Sequence, residues 1–153
     1  MFLTLVISLL TSSTFACFGP KLFVGTEPGL AGEMRYHLVA LYLHEKTGID
    51  SVHVVYEPGQ NALQAISAQK IDLGFSTADE SDIPVLLKLT DGQVLYSGKR
   101  PLEDLQFSTA PRALQKLQQR LNNASLQSVE EQIAAGELPA AAIRNFMLEA
   151  GWI

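Results

Sequence analysis

Short runs of apolar and β-branched residues alternate with helical stretches in the first half of the chain, and this alternation limits the folds that the chain can adopt. The strand-like runs are KLFVG at 21–25, VHVVY at 52–56 and IDLGFS at 71–76. Between them, residues 31–46 and 61–68 carry apolar side chains at helical spacing. Strands that alternate with helices form βαβ units, so the sequence predicts an α/β domain with a parallel βαβαβ start.

A hairpin signal follows the third strand-like run. Two apolar runs, IPVLLKL at 83–89 and VLYS at 94–97, flank an Asp-Gly pair at positions 91 and 92. Asp-Gly between two such runs is typical of the tight turns that join antiparallel strands. Pro84 suits the beginning of an edge strand, because proline has no N–H for a sheet ladder. The sequence therefore predicts a short β-hairpin here.

The last third of the chain is predicted to be helical, with C-terminal helices over 110–121, 125–135 and 139–150. Apolar residues recur in these stretches at spacings of three and four. A proline stands near the start of the first and the last helix, where its missing N–H has no cost. Ser125 can cap the second helix, and Gly136 can end it.

Residues 1–16 have the pattern of a secretory signal peptide. The apolar run at 2–10 is shorter than the ~20 residues that span a bilayer, and polar residues follow it before Phe15-Ala16. The alternative is an N-terminal strand or helix of the fold, since no Lys or Arg precedes the run. We expect an exported protein of the periplasm or cell envelope, with one domain over 17–153.

Cys17 is the only cysteine, so the chain cannot form an intramolecular disulfide. Three roles remain open for it: a lipid-anchored N-terminus that tethers the protein to a membrane, a free terminal thiol, or the last residue of an uncleaved leader. The residues before it are Thr14-Phe15-Ala16, whereas a lipoprotein signal usually has Leu three residues before the cysteine. A catalytic thiol is not expected, because a chain terminus supplies no group that lowers its pKa.

Composition argues against nucleic-acid binding and gives no sign of an enzyme. The chain has 11 Lys and Arg against 16 Asp and Glu, and it lacks the basic stripe that a phosphate backbone requires. No Ser-His-Asp arrangement, phosphate-binding loop or paired-cysteine metal site is present. Glu33, His37 and His44 share a helical face, but the two histidines lie ~10 Å apart along the helix, too far to share one zinc directly. We expect no catalytic residues, no cofactor and no metal.

Three loops follow the predicted strands, and ligands of open α/β sheets bind where such loops meet, at the carboxyl ends of the strands. Two of the loops lead into helices, whose free N–H groups favour anions, whereas the carboxylates in the loops favour cations. Turn formation alone accounts for the glycines and prolines. The predicted ligand-binding residues are therefore Thr26, Glu27, Glu57, Gln60, Asn61, Ser76, Thr77 and Asp79.

Two stretches carry a family resemblance. They are KLFVGTEPGLAGEMRYHLVALYLHEKTG through QNALQAISAQKIDLGF at the front, and TAPRALQKLQQRLNNASLQSVEEQIAAGELPAAAIRNFMLEAGWI at 109–153. They resemble the start and the end of ABC-transporter substrate-binding proteins of the glycine betaine/choline (osmoprotectant) type. In those proteins a second lobe is inserted between the two segments, whereas the gap here, Asp79 to Ser108, is 30 residues long. The resemblance implies one lobe of a type II periplasmic binding protein fold, with the hairpin in place of the second lobe.

The resemblance implies a non-enzymatic transport receptor that binds a small polar or cationic solute. One lobe leaves half of the solute exposed, so weak binding is expected unless a second chain or an ABC permease completes the cleft. The betaine specificity does not carry over. After the first and third strands, many relatives have Phe-Thr-Glu-Gln and Asp-Leu-Tyr-Pro-Glu-Tyr, where this chain has GLAG at 29–32 and DLGFST at 72–77. The tyrosines that would hold a quaternary ammonium by cation–π attraction are thus missing.

A second hypothesis is a periplasmic interaction protein whose lobe docks a partner chain and binds no solute. A large exposed apolar area around Ile83, Val85 and Tyr96 would favour it, because such patches mark protein–protein contacts.

Overall fold

Five strands form one mixed sheet in the computed structural model, which describes residues 19–77, 82–122 and 124–153. The strands are β1 (Leu22–Thr26), β2 (Ser51–Val55), β3 (Leu73–Ser76), β4 (Val85–Lys88) and β5 (Val94–Ser97), in the order β2-β1-β3-β5-β4. The predictions made for the leader, for Cys17 and for Asp79 lie outside the described residues.

The sheet combines a parallel half with an antiparallel hairpin. β1 pairs in parallel with both β2 and β3, with Val24 opposite His53 on one side and Leu73 on the other. β5 runs antiparallel to both β3 and β4. The predicted parallel start and the predicted hairpin are confirmed, and it is the second hairpin strand that joins the sheet beside β3.

Helices make up most of the remainder. Within the described residues they are α1 (Leu30–Thr47), α2 (Ala62–Ser67), α3 (Arg100–Glu103), α4 (Ala110–Leu121), α5 (Gln127–Ala134) and α6 (Pro139–Glu149), with a 3-10 turn at Leu105–Phe107. None of them has both the length and the apolar character needed to span a bilayer.

Most element boundaries differ from the sequence prediction by one or two residues, and two of these differences involve side-chain hydrogen bonds. Ser125 is not the N-cap of α5, because Leu126 occupies that position; the Ser125 hydroxyl still accepts a hydrogen bond from the Gln127 N–H at 3.2 Å. β3 begins two residues later than the apolar run, at Leu73. The backbone N–H of the preceding Asp72 donates to the Phe23 carbonyl at 2.8 Å, and the Asp72 carboxylate accepts a hydrogen bond from the Phe23 N–H, also at 2.8 Å.

The two crossovers run in opposite directions across the sheet: α1 connects β1 to β2, and α2 connects β2 back past β1 to β3. Right-handed connections therefore place α1 and α2 on opposite faces of the sheet. The larger core lies on the α1 face, where α1 and α4 pack against the sheet, α6 packs on α1, and α5 packs on α6. The other face carries a small cluster of Tyr56, Ala62, Ala65 and Ile71 under α2. Most of the apolar stabilisation therefore lies on one side of the sheet.

Glycines make room for the Tyr56 side chain between the sheet and α2. A Cβ atom at Gly25 would be 2.4 Å from Tyr56 Cε1, and one at Gly74 would be 2.8 Å from the Tyr56 hydroxyl oxygen. The Tyr56 hydroxyl donates to the Phe75 carbonyl at 3.2 Å, and burial raises its pKa. The position of Tyr56 fixes the start of the loop at 57–61, which follows it directly.

We predict that Gly25→Ala lowers the free energy of unfolding by about 1–3 kcal/mol, because the new methyl group overlaps Tyr56 and Ile71. Chemical denaturation measures the change. Gly19→Ala is the matched control, since a Cβ atom there meets no atom within 4 Å. Equal stability of the two variants would contradict this packing.

Candidate functional site

The loops that the sequence predicts to bind ligand lie at the carboxyl ends of the parallel strands, and we call this side of the sheet the carboxyl edge. β1, β2 and β3 are parallel, so the loops at 26–29, 57–61 and 76–77 leave the sheet at the same edge. β5 is antiparallel to β3 and to β4, so β4 points the same way as β3. The β4–β5 turn therefore also lies at this edge, which the sequence did not predict.

Glu27 joins the loop after β1 to this turn. Its carboxylate accepts hydrogen bonds from the Gln93 side-chain amide at 3.2 Å and from the Arg35 guanidinium at 3.5 Å. Arg35 also donates to Asp91 at 2.8 Å, and Asp91 accepts the Gln93 backbone N–H at 3.0 Å. These four residues, which we call the edge cluster, connect β1, α1 and the hairpin turn. Asp91, Arg35 and Gln93 are the site residues that sequence reasoning missed.

The edge cluster presents carboxylates to solvent and keeps its cation covered. The side chains of Glu27 and Asp91 are 42% and 36% exposed, whereas that of Arg35 is 13% exposed. Arg35 Nε and Gln93 Oε1 are buried without a hydrogen-bond partner, which costs roughly 1–3 kcal/mol per group. Because both atoms are enclosed by protein, a solute arriving at this edge meets the carboxylates first.

The loop after β1 packs directly on the first turn of α1. A Cβ atom at Gly32 would be 2.0 Å from the Glu27 carbonyl oxygen, so only glycine fits there without a shift. Gly29 precedes α1 with a φ of 105° and supplies no side-chain cap. The N–H groups of the first turn of α1 therefore lie beside Glu27, at the positive end of the helix.

Thr26 is buried beneath the edge, on the α1 face of the sheet. Its hydroxyl lies 2.7 Å from His53 Nε2 and donates to the Glu27 carbonyl at 3.1 Å. A hydroxyl beside an imidazole can act as an activated nucleophile, but Thr26 has no exposed surface through which a substrate could reach it. The His53 ring also stacks on Tyr36, with ring centroids 4.4 Å apart. Thr26 thus positions β1 and β2.

The loop after β2 uses its amide side chains locally. Gln60 Oε1 accepts the Glu57 N–H at 3.3 Å. Asn61 caps α2 by accepting the Gln64 N–H at 2.9 Å, and the Gln64 side chain accepts the Asn61 N–H at 3.4 Å, which is a capping box. Glu57 is exposed at the start of this loop. Of the predicted residues in the loop, Glu57 is the one whose side chain faces solvent with its charge available.

The end of β3 adds one buried and one exposed residue. Ser76 is buried on the sheet, and its neighbour Thr77 is exposed. The structure thus brings Glu27, Glu57 and Thr77 to one edge as exposed side chains. Of the other predicted residues that it describes, Thr26 and Ser76 are buried, Gln60 bonds within the turn after β2, and Asn61 caps α2.

The histidines of α1 do not meet as a metal site. His44 Nδ1 lies 2.9 Å from Asp50 Oδ1, whereas His37 lies at the Tyr36 and His53 rings. In the described ranges, no group of three or more His, Cys, Asp or Glu side chains could hold a metal ion. Burial lowers the pKa of both His37 and His53, and the nearby Glu33 carboxylate opposes this shift only in part.

No protein-family model matches the sequence, and no curated protein or solved structure matches it either.

The two half-buried histidines give a pH prediction. Their pKa values in the folded protein lie below the ordinary 6.5, so the unfolded chain binds more protons as the pH falls through that value. We expect the free energy of unfolding to decrease as the pH falls from about 6.5 toward about 5. A His37→Gln/His53→Gln double variant flattens this dependence in denaturation curves measured at each pH. An unchanged slope would contradict the assignment.

A second prediction concerns Arg35. Arg35→Met separates the hairpin turn from Glu27 and should lower the free energy of unfolding by about 1–2 kcal/mol, between the values for exposed and for buried ion pairs. The Gly92 amide should also exchange faster with solvent. Arg112→Met on the exposed side of α4 is the matched control. Equal losses in both variants would contradict a specific role for Arg35.

Proposed function

We propose that the protein is a non-enzymatic solute-binding protein that takes a small polar or cationic solute at the carboxyl edge of its sheet. The observation that carries this proposal is the parallel β2-β1-β3 order, which brings the loops at 26–29, 57–61 and 76–77 together where α/β sheets bind ligands. In this proposal the chain is one lobe of the type II periplasmic binding protein kind, and it serves an ABC transporter for osmoprotectant-like solutes.

The charges at the edge support a cationic solute. Among the described residues of the three loops and of the turn at 89–93, Glu27, Glu57 and Asp91 carry negative charge and none is Lys or Arg. The nearby Arg35 guanidinium is already shared between Glu27 and Asp91. Exposed charge pairs contribute ~0.2–1 kcal/mol each, so a few such contacts give weak binding. One lobe also leaves half of the solute in water, which weakens binding further.

The β4–β5 turn fits the absence of a second lobe. It joins the two hairpin strands directly, in the part of the chain where the receptors that the sequence resembles insert their other lobe. The edge cluster holds this turn against the loop after β1. An ABC permease or a second chain then supplies the missing half of the cleft. Export and a membrane tether through Cys17 belong to the same proposal.

Choline and its uncharged isostere 3,3-dimethyl-1-butanol provide the test, with amide chemical shifts of the isotope-labelled protein as the readout. We expect saturable shifts with choline in the three edge loops, and binding of the neutral compound weaker by about threefold or more. Glu57→Gln should weaken choline binding, and Glu130→Gln on α5 should not. Equal binding of both compounds, or shifts outside the edge, would refute a cationic site there.

Docking of a partner chain, without any solute, is the second candidate. Leu30 and Val55 are 56% and 48% exposed at the same edge, and a partner lying on the edge would cover them. The area expected around Ile83, Val85 and Tyr96 gives less support, because Tyr96 is buried. If docking is the function, Leu30→Ser/Val55→Thr abolishes a concentration-dependent association seen by sedimentation velocity, and choline shifts no amide.

A further inference from the structure

A cleft of about 1170 Å³ lies at the opposite edge of the sheet from the solute loops. The end of α2, the segment 82–84 before β4, and residues 97–104 around α3 line it. Small-molecule sites in proteins have volumes of about 300–1000 Å³, so the cleft has room for a small solute. It shares no lining residue with the carboxyl-edge loops, and a ligand there would be independent of the proposed function.

One wall of the cleft is fixed by an ion pair that is already satisfied. Arg100 Nε donates to Asp72 at 2.7 Å, and its Nη2 donates to the other Asp72 oxygen and to the Lys21 carbonyl, the latter at 2.6 Å. Asp72 also accepts the Phe23 N–H at 2.8 Å. The hydrogen bond with Asp72 raises the pKa of Arg100. These bonds join β1, β3 and α3, so the cleft is preformed.

Other side chains of the cleft are left for a ligand. Lys70, Lys99 and Glu103 form no ion pair with any part of the chain that the structure describes. Phe23 and Leu102, which also line the cleft, are 40% and 42% exposed. An exposed ring and an exposed leucine beside unpaired charges suit a ligand with an apolar body and charged groups.

The charges of the cleft are close to balance. Among the described residues that line it, the cations are Lys70, Lys99 and Arg100, and the carboxylates are Asp72, Asp82, Glu103 and Asp104. The lysines attract an anion and the carboxylates repel it. The carboxylates attract a cation and the lysines repel it. A molecule with one charge of each sign avoids both penalties. We propose that this cleft binds a small zwitterion with a large apolar side chain, of the α-amino-acid class.

Four compounds test this proposal on the full-length, isotope-labelled protein. Phenylalanine, 3-phenylpropionate and 2-phenylethylamine share an apolar body and differ in charge, and glycine keeps both charges without that body. We expect phenylalanine to shift the amides of 66–72 and 97–104 saturably, with binding about threefold or more tighter than that of the two singly charged compounds. Glycine should cause no shift.

Variants assign the two charges. Lys70→Gln/Lys99→Gln should weaken the binding of phenylalanine and 3-phenylpropionate by about threefold or more and should not weaken that of 2-phenylethylamine, which the lysines repel. Glu103→Gln should weaken the binding of the two amines. Lys116→Gln and Glu130→Gln, on exposed positions of α4 and α5, are the controls. Equal affinity for the three phenyl compounds, shifts confined to the carboxyl edge, or no shifts at all would each overturn the proposal. The choline titration tests the carboxyl edge, which shares no lining residue with this cleft, so failure of the zwitterion proposal and failure of the proposed function are distinguishable.

Discussion

β1 is bound by side-chain networks at both ends, and the arrangement of β2, β3, α1 and α2 around it depends on this strand. At its amino end, Asp72 and Arg100 hold Phe23 and Lys21; at its carboxyl end, Glu27 binds Arg35 and Gln93. The strand has parallel neighbours on both sides, so the crossovers to β2 and β3 must run in opposite directions. That reversal sets the faces of α1 and α2 and makes the carboxyl end of β1 the point where ligands of such sheets bind.

The sequence predicts those features that local patterns determine. Short apolar runs alternating with helical spacing give the parallel start, the Asp-Gly pair between two apolar runs gives the hairpin, and helical apolar spacing gives the C-terminal helices; the structure confirms all three. α3 has only four residues, too few for a helical period to show. The insertion of β5 between β3 and β4 depends on pairing between distant strands, and local patterns carry no information about it.

In the candidate site too, some features follow from local sequence patterns and others depend on contacts between distant residues. The carboxyl-edge loops are predictable from the order of strands and helices, and Glu27 and Glu57 lie there as expected. Arg35 and Asp91 are 56 positions apart, so their ion pair cannot be foreseen from spacing. Thr26 resembles a loop residue in the sequence, but β1 extends through it and its alternation turns the side chain toward α1. Asn61 and Gln60 look like ligand residues, and the folded chain uses them for a cap and a turn.

The two edges of the sheet thus offer different chemistry: exposed carboxylates at one, and a cleft with balanced charge at the other. The most direct test of a cation site at the carboxyl edge uses a nitroxide that bears a trimethylammonium group, compared with a neutral nitroxide of similar size. Paramagnetic broadening of amide signals reports which residues each compound approaches. Our account predicts stronger broadening by the cationic nitroxide at 26–29, 57–61 and 90–93. Equal broadening by both compounds, or broadening centred on the opposite edge, would contradict it.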